Sequence, residues 1–383
     1  MDLTYLFDGL TDPRAKDNQR YPFHYLMLIT LCATLSGIDS CVGIQDYAEA
    51  YVDFFSSYFK TPFTPRHDTF LELLSKLDNQ EMEVWFRKRT RDILMFVQNH
   101  SPPTTALSAK NKAKTHKYRH FCIDGKTIRN SGYNNPFHIV SVWFADQEIV
   151  CGQEKVAEKS NEITAIPTLV ESFDFPNHSI ISIDAMGCQV DICQKIIDKG
   201  ADYVISVKEN QPTLFMSTLS QIEEENHHSL CYTENKGHGR VEKRWCTAMA
   251  VDQKKRDFKG WPGIQAIYAV DADVLTKRRT KETRSLCTRY FVSSVLLPAE
   301  DMLTIIRNHW GIETKLHWRL DVTTNEDEAC IQDETTAVNV NKLRKFSFNL
   351  LNPLKEKSSM ASMFRKCGNP AYAIKILDKY FNP

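Results

Sequence analysis

Between Tyr21 and about His100 apolar residues recur at three- and four-residue steps, the period of a helix with one buried face. In VGIQDYAEAYVDFFSSYF they are Ile44, Tyr47, Ala48, Tyr51, Val52, Phe55, Tyr58 and Phe59. DTFLELLSKL and EMEVWFRKRTRDILMFV repeat the pattern, and Asp78 and Asn79 precede the second as candidate caps. The most apolar stretch is YLMLITLCATLSGI, Tyr25 to Ile38. A membrane span needs roughly 20 apolar residues, so this shorter run reads as a buried core helix, and no membrane partner is expected. Residues 1–100 are expected to form a small all-helical domain.

After His120 the period changes. FCID, FHIVSVWFA, EIVCGQEKV, SIISIDA and ADYVISVK are short runs rich in Ile and Val, and SNEITAIPTLVESF and QVDICQKIIDKG are helical segments between the later ones. Three strands followed by helix, strand, helix, strand predict a mixed α/β sheet: an antiparallel meander first, then helical crossovers. The intervening residues 101–119 hold two prolines and the cations Lys110, Lys112, Lys114, Lys117 and Arg119 without an acid, which reads as a basic linker. Beyond Asn210 regularity weakens. GIQAIYAVDADV and RYFVSSVLL look like strands, so residues 211–296 read as a strand-rich insertion. Helix returns in AEDMLTIIRNHWGIETKLHWRL and ends with VNVNKLRKFSFNLL, leaving 353–383 as a C-terminal tail.

Composition adds little. With 48 Lys+Arg against 48 Asp+Glu, net charge gives no support to a polyanionic partner, which must rest on local patches. The 11 cysteines include no C-x-x-C pair, and the N-terminus does not read as a signal peptide. Reduced thiols in a cytoplasm fit best.

Chemistry gathers at a few acids. Asp124 is expected to end the first strand and Asp184 the fourth, and those strands are neighbours in a sheet of this topology. Two adjacent carboxylates repel unless a cation neutralises them, and hard oxygen ligands in a shallow site favour Mg2+ or Mn2+. A lone Asp at a strand end is more commonly a turn or helix cap. A third ligand would come from RNHWGIETKLHW, where His309, Glu313 and His317 lie at i, i+4 and i+8 among Arg307, Trp310 and Trp318. That triplet also suits zinc, but H-E-x-x-H spacing is absent, and a zinc site leaves Asp124 and Asp184 unexplained. The GKT at Gly125–Thr127 fails as a phosphate-binding loop, because His120 stands where glycine is needed.

Seven motifs occur in order: IDGKTIRNS, HIVSVWFAD, EKSNEITAIPTLV, IDAMGCQ, ADYVISVKENQ, GHGRVEKR and RNHWGIETKLHWRLDV. Together with the N-terminal DPRAKDNQRYPFHYLMLITLCATLSGIDSCVGIQDYA, the chain resembles, over nearly its whole length, the DDE-type insertion-sequence transposases of the H-repeat-associated protein group. The resemblance implies an RNase H-like catalytic core at 120–210 and 297–352, interrupted by the insertion and preceded by an associated helical domain. It implies that Asp124, Asp184 and Glu313 form the acidic triad, holding two Mg2+ (or Mn2+) ions. Related transposases often carry Tyr, Arg, Glu and Lys at set spacings around the third acid. Here His309 takes the arginine place and Leu320 the lysine place, so Asp321 or Asp327 could contribute instead.

The implied activity is metal-dependent cleavage at insertion-sequence ends and strand transfer of the freed 3′ hydroxyl into target DNA. The implied partners are double-stranded DNA with terminal inverted repeats, target DNA and a second copy of the chain, in a bacterial cytoplasm on the nucleoid. Two alternatives remain open: a transposase-derived DNA-binding protein without strand transfer, and an RNase H-like nuclease. Lys126, two residues after Asp124 and so on the same strand face, is a candidate DNA contact. So are Lys208, Asn210, Gln211, His238, Arg240, Arg307, His309 and Trp310.

Overall fold

The structure, a computed structural model, describes residues 3–100, 118–129, 131, 136–156, 162–223, 228–237, 239–251, 258–278, 281–329 and 331–382. Five helices come first: α1 (Phe23–Leu35), α2 (Cys41–Ala50), α3 (Val52–Phe59), α4 (His67–Lys76) and α5 (Asn79–His100). Strands β1 (Arg119–Ile128), β2 (Phe137–Phe144) and β3 (Ile149–Val156) follow, then α6 (Glu162–Glu171), β4 (Ser179–Ile183), α7 (Val190–Asp198), β5 (Asp202–Val207) and α8 (Pro212–Ile222). Four long strands come next: β6 (Ser229–Gly237), β7 (Arg240–Ala250), β8 (Ala266–Arg278) and β9 (Lys281–Ser293). The chain closes with α9 (Ala299–His309), α10 (Trp318–Thr324), α11 (Glu334–Leu351), α12 (Met360–Cys367) and α13 (Pro370–Phe381). This is the mixed α/β class the periodicities predict. Most of the basic linker, 101–117, lies outside the described residues.

Packing divides the chain into two compact units. The first takes residues 1–114, 125–159 and 313–383. Its centre is α11, with 16 of 18 residues buried, against α1, α4, α5 and β3. Many of its buried residues are polar, so each must find a partner inside the protein. Asn349 does so as a strand would: its Nδ2 donates to the Val150 carbonyl (2.7 Å), and its Oδ1 accepts from the Val150 N–H (2.9 Å) on β3. Asn339 donates to the Leu77 carbonyl (2.8 Å). Helix α1 has ten of its thirteen residues buried, as its apolar run predicts. Among the described residues no helix is long and apolar enough to cross a membrane.

The second unit holds residues 115–124 and 160–312. The start of β1, β4 and β5 run parallel, with β9, β8, β7 and β6 added antiparallel in that order. Helix α9 lies on one face of this sheet, where Met302, Leu303 and Ile306 pack on Ile180, Val204, Cys246, Tyr268 and Val270.

Four expectations need correction. The periodic run across Ile44–Phe59 is two helices, because Tyr51 leaves the helical region at φ −120°, ψ 31°. Residues 353–383 are not a tail after the last helix: α12 and α13 fold there, burying Met363, Phe364, Ile374 and Leu377. The run from Ala299 to Leu320 is not one helix, since α9 ends at His309 and a π-helical turn occupies Glu313–His317. Asp124 does not end its strand, because β1 continues to Ile128 while β4 stops at Ile183.

Candidate active site

The interior of β1 and the end of β4 build the site. β1 and β4 run parallel with a register that closes at Ile123 opposite Ile183, so the next residue on each strand is an aspartate. Neighbouring strands lie about 4.8 Å apart, which brings the half-buried Asp124 and Asp184 side by side within the second unit. Asp184 also turns the chain. Its Oδ1 accepts from the Met186 N–H (3.0 Å) and the Gly187 N–H (3.4 Å). Burial pushes its carboxyl above the usual range, and the charges of Asp124 and Glu162 push the same way; the two amides only partly offset this. Glu162, buried in the first turn of α6, is an acid that sequence reasoning passed over. Its only signal is a carboxylate at a helix start after the third strand.

Beneath the aspartates lies a histidine–serine–histidine chain. The Ser182 hydroxyl stands 2.9 Å from His309 Nδ1 and 2.8 Å from His120 Nε2. The hydroxyl has one proton and two lone pairs, and the Phe121 carbonyl also lies 3.5 Å from it, so it donates to at most one ring and at least one ring presents an N–H to it. Burial lowers the basicity of His309, while Asp124 and Asp184 pull the other way. His309, expected at the DNA, is thus anchored from below by β4.

The loops after β4 and β5 are tied together. Asn210 Nδ2 donates to the Ala185 carbonyl (2.7 Å), and Gln211 Nε2 donates to the Cys188 carbonyl (2.8 Å). Both amides were expected to hold phosphate or base edges. In the structure an N–H of each braces the Asp184 turn. A cavity of about 760 Å³ opens beside Asp184, with Lys208, Phe215, Arg289 and Tyr290 in its wall. Lys208 is exposed, as its expected role needs. Arg240, Arg307 and Trp310 are exposed as well, and His238 lies outside the described residues.

The first unit holds the other expected site residues. Glu313 opens the π-helical turn and is exposed. Lys126 is not available to a phosphate: its ammonium binds Asp321 and Glu326 (2.6 Å to the latter), with Asp327 at 3.7 Å. Burial opposes the Lys126 charge, but these acids outweigh it and raise its pKa. Asp321 and Asp327, the alternatives to Glu313, are therefore counter-ions of Lys126. Glu326 is fully buried. Burial opposes its ionisation, yet Lys126, Lys345 and Arg344 hold it below the usual carboxylate range.

For a metal, the donor set is oxygen only. Asp124 and Asp184 form a pair whose mutual repulsion a hard divalent cation would relieve. Among the described residues no group of three or more His, Cys, Asp or Glu side chains is arranged to hold an ion. Two of the three expected acids meet within one unit, and Glu313 belongs to the other.

Known proteins are similar to this chain. The family described as "DDE_Tnp_1-associated" matches residues 4–89, and the family described as "Transposase DDE domain" matches residues 115–349. The H repeat-associated putative transposase YhhI of Escherichia coli K12 is 34% identical over 354 residues, covering 89% of this chain and 87% of its own. The putative transposase YncI of Escherichia coli O157:H7 is 31% identical over 375 residues, covering 93% and 89%. A piggyBac transposase synaptic complex with hairpin DNA covers 99% of this chain and 81% of its own at 11% identity and a TM-score of 0.43, a likeness too slight to define the fold. Matched over most of its length by a transposase domain and its associated domain, the chain belongs to the DDE transposase family.

Proposed function

We propose that this transposase cleaves DNA at the ends of an insertion sequence and joins the freed 3′ hydroxyl to target DNA. The observation that carries this reading is the meeting of Asp124 and Asp184 one step past a closed strand register. Hard oxygen donors and an Asp184 carboxyl whose ionisation its surroundings oppose suit Mg2+ or Mn2+. When bound, two such ions lower the pKa of a water and stabilise the leaving oxygen of an in-line displacement. Asp124 and Asp184 would hold them, and the Met186 and Gly187 amides fix the Asp184 carboxyl in place. Glu313, which belongs to the other unit, is the third acid that the family resemblance implies. A second reading gives that place to Glu162, because its charge already acts on Asp184. Lys208 and Arg289, in the wall of the adjoining cavity, offer positive charge to phosphates. The partners are duplex ends with terminal inverted repeats and target DNA, and two chains bring two ends together. The compartment is the bacterial cytoplasm.

The test is to incubate the purified full chain with Mg2+ and duplexes carrying candidate terminal repeats. Nicks should appear with wild type and not with Asp124→Ala. If wild type cuts no better than Asp124→Ala yet retains the duplex, the chain is a DNA-binding descendant. Cutting without regard to the repeats makes it a nuclease. Glu313→Ala and Glu162→Ala decide the third acid, since only the true ligand's loss abolishes nicking.

A further inference from the structure

A run of arginines lies on the face of the insertion sheet that α9 covers. Side chains alternate along a strand, so Arg240, Glu242, Arg244 and Cys246 of β7 share one face. Cys246 stands opposite Val270 of β8, and Val270 stands opposite Arg289 of β9, so Arg289 joins that face. Cys246 and Val270 are part of the core beneath Met302, Leu303 and Ile306 of α9. Arg307 belongs to the last turn of α9, and Trp310 follows it. The Arg289 guanidinium lies over the Trp310 ring, 4.6 Å from its centroid, a contact that fixes the guanidinium plane. Where α9 ends, the face passes from apolar to cationic.

Within this group Glu242 is contacted by Arg240 (3.2 Å) and Arg244. The group is close enough to act on itself. Burial opposes the charge of Arg244, Glu242 supports it, and Arg307, Arg240 and Arg289 oppose it. Such self-repulsion in a chain of zero net charge is a local feature, not a consequence of composition. Its inner end, by Arg307, is two residues from His309, whose ring feels Asp124 and Asp184. From Arg240 to the level of Arg289 is six residues along β7, about 20 Å at ~3.3 Å per residue. That length matches about six base-pair steps at ~3.4 Å each.

We propose that Arg240, Arg244, Arg289 and Arg307 form a track for the phosphate backbone of duplex DNA, running along the insertion sheet toward the aspartate pair. This deepens the proposed function and rests on its DNA substrate. The track positions DNA and carries no sequence information.

The experiment titrates the full-length chain against a labelled mixed-sequence duplex in rising KCl and reads the slope of log K against log salt. Each arginine removed should shrink the slope by about 0.9, so Arg244→Gln and Arg289→Gln each lose that much and their double variant about 1.8. Arg244→Lys should keep the slope, and thermal midpoints identify any variant that fails to fold. Asp124→Asn should bind with the wild-type slope while failing to nick, which separates the track from the chemistry. A slope unchanged in Arg244→Gln and Arg289→Gln overturns the track even if nicking persists. So does a wild type that does not bind the duplex. A single-stranded RNA bound more tightly, with the same arginine dependence, overturns it in favour of RNA.

Discussion

Ile123 and Ile183 are the last registered pair of two parallel strands, and the residues that follow them are Asp124 and Asp184. Because β1 runs on to Ile128 while β4 turns at Asp184, the two carboxylates share an edge yet sit on different backbones. That geometry separates chemistry from stability. Asp124→Asn and Asp184→Asn should each cut Mg2+-dependent nicking by at least about 10²-fold, the scale on which one preorganised catalytic group is felt. Neither should unfold the chain. A nicking assay beside a thermal melt checks both.

The raised pKa of Asp184 makes a pH prediction with a definite sign. The folded chain holds this proton more tightly than the unfolded chain, so between the unfolded and folded values the native state binds more protons, and stability falls as pH rises through that window. Above the unfolded value the raised pKa of Asp184 is a cost to the fold. Asp184→Asn should therefore melt above wild type at neutral pH, with the gap closing as the pH falls below the unfolded carboxylate value of about 3.9. Mg2+ should raise the wild-type midpoint and not that of Asp184→Asn. A wild-type midpoint indifferent to Mg2+ at neutral pH would contradict the metal assignment.

The aspartate pair was legible because strand periodicity and a short crossover helix are local patterns, and together they make the first and fourth strands neighbours. Lys126 was misjudged because its partners, Asp321 and Glu326, lie about two hundred residues away in sequence and only folding brings them together. β6 and β7 escaped notice because SLCYTENKG and RVEKRWCTAMA leave many residues of both faces partly solvated, so hydrophobic alternation is weak. The break between His309 and Glu313 was hidden for the opposite reason: a π-helical turn keeps near-helical spacing, so the apolar period runs through it. Asn210 and Gln211 look like ligand-binding amides in sequence, and only the fold shows that an N–H of each goes to the carbonyls of Ala185 and Cys188.

Ser182 supports two imidazoles with one hydroxyl. Ser182→Ala removes that hydroxyl from both rings in a buried setting. Leaving a buried polar group without a partner costs about 1–3 kcal/mol, and a loss of that size should appear in urea unfolding. Ser182→Thr keeps the hydroxyl and should lose less.

Glu326 carries the charge balance of the first unit. Its carboxylate accepts from Lys126 (2.6 Å) and from Asn341 Nδ2 (2.7 Å), while burial holds the Lys345 amine down to about 8. Glu326→Ala takes the carboxylate from buried Lys345 and leaves Lys126 with Asp321 and Asp327 alone, and should destabilise the chain by roughly 3–5 kcal/mol. The sign with pH is opposite to that of Asp184. Glu326 has a depressed folded pKa, so its contribution is full above the unfolded value of about 4.3 and is lost as the pH falls through the folded value. Acid unfolding should set in at higher pH for wild type than the Asp184 proton alone predicts, and Glu326→Gln should flatten that limb.

Gly187 offers the sharpest test of how the Asp184 turn is held. A Cβ there would stand 2.3 Å from Ile183 Cγ2 and 3.3 Å from Ile183 Cβ. Ile183 is β-branched and buried on β4, so its methyl cannot swing away as the end of a long side chain can. The turn must move instead, and the Gly187 N–H that reaches Asp184 Oδ1 at 3.4 Å moves with it. Gly187→Ala should cost about 1–3 kcal/mol through overpacking and should lower nicking more than that loss of folded protein explains. Adding Ile183→Val leaves one fewer methylene in the strand residue but keeps Cγ2, so it should not restore the turn; Ile183→Ala removes the clashing methyl and should recover nicking in the Gly187→Ala background. Nicking that stays at the wild-type level in Gly187→Ala would show that the placement of Asp184 does not depend on this turn.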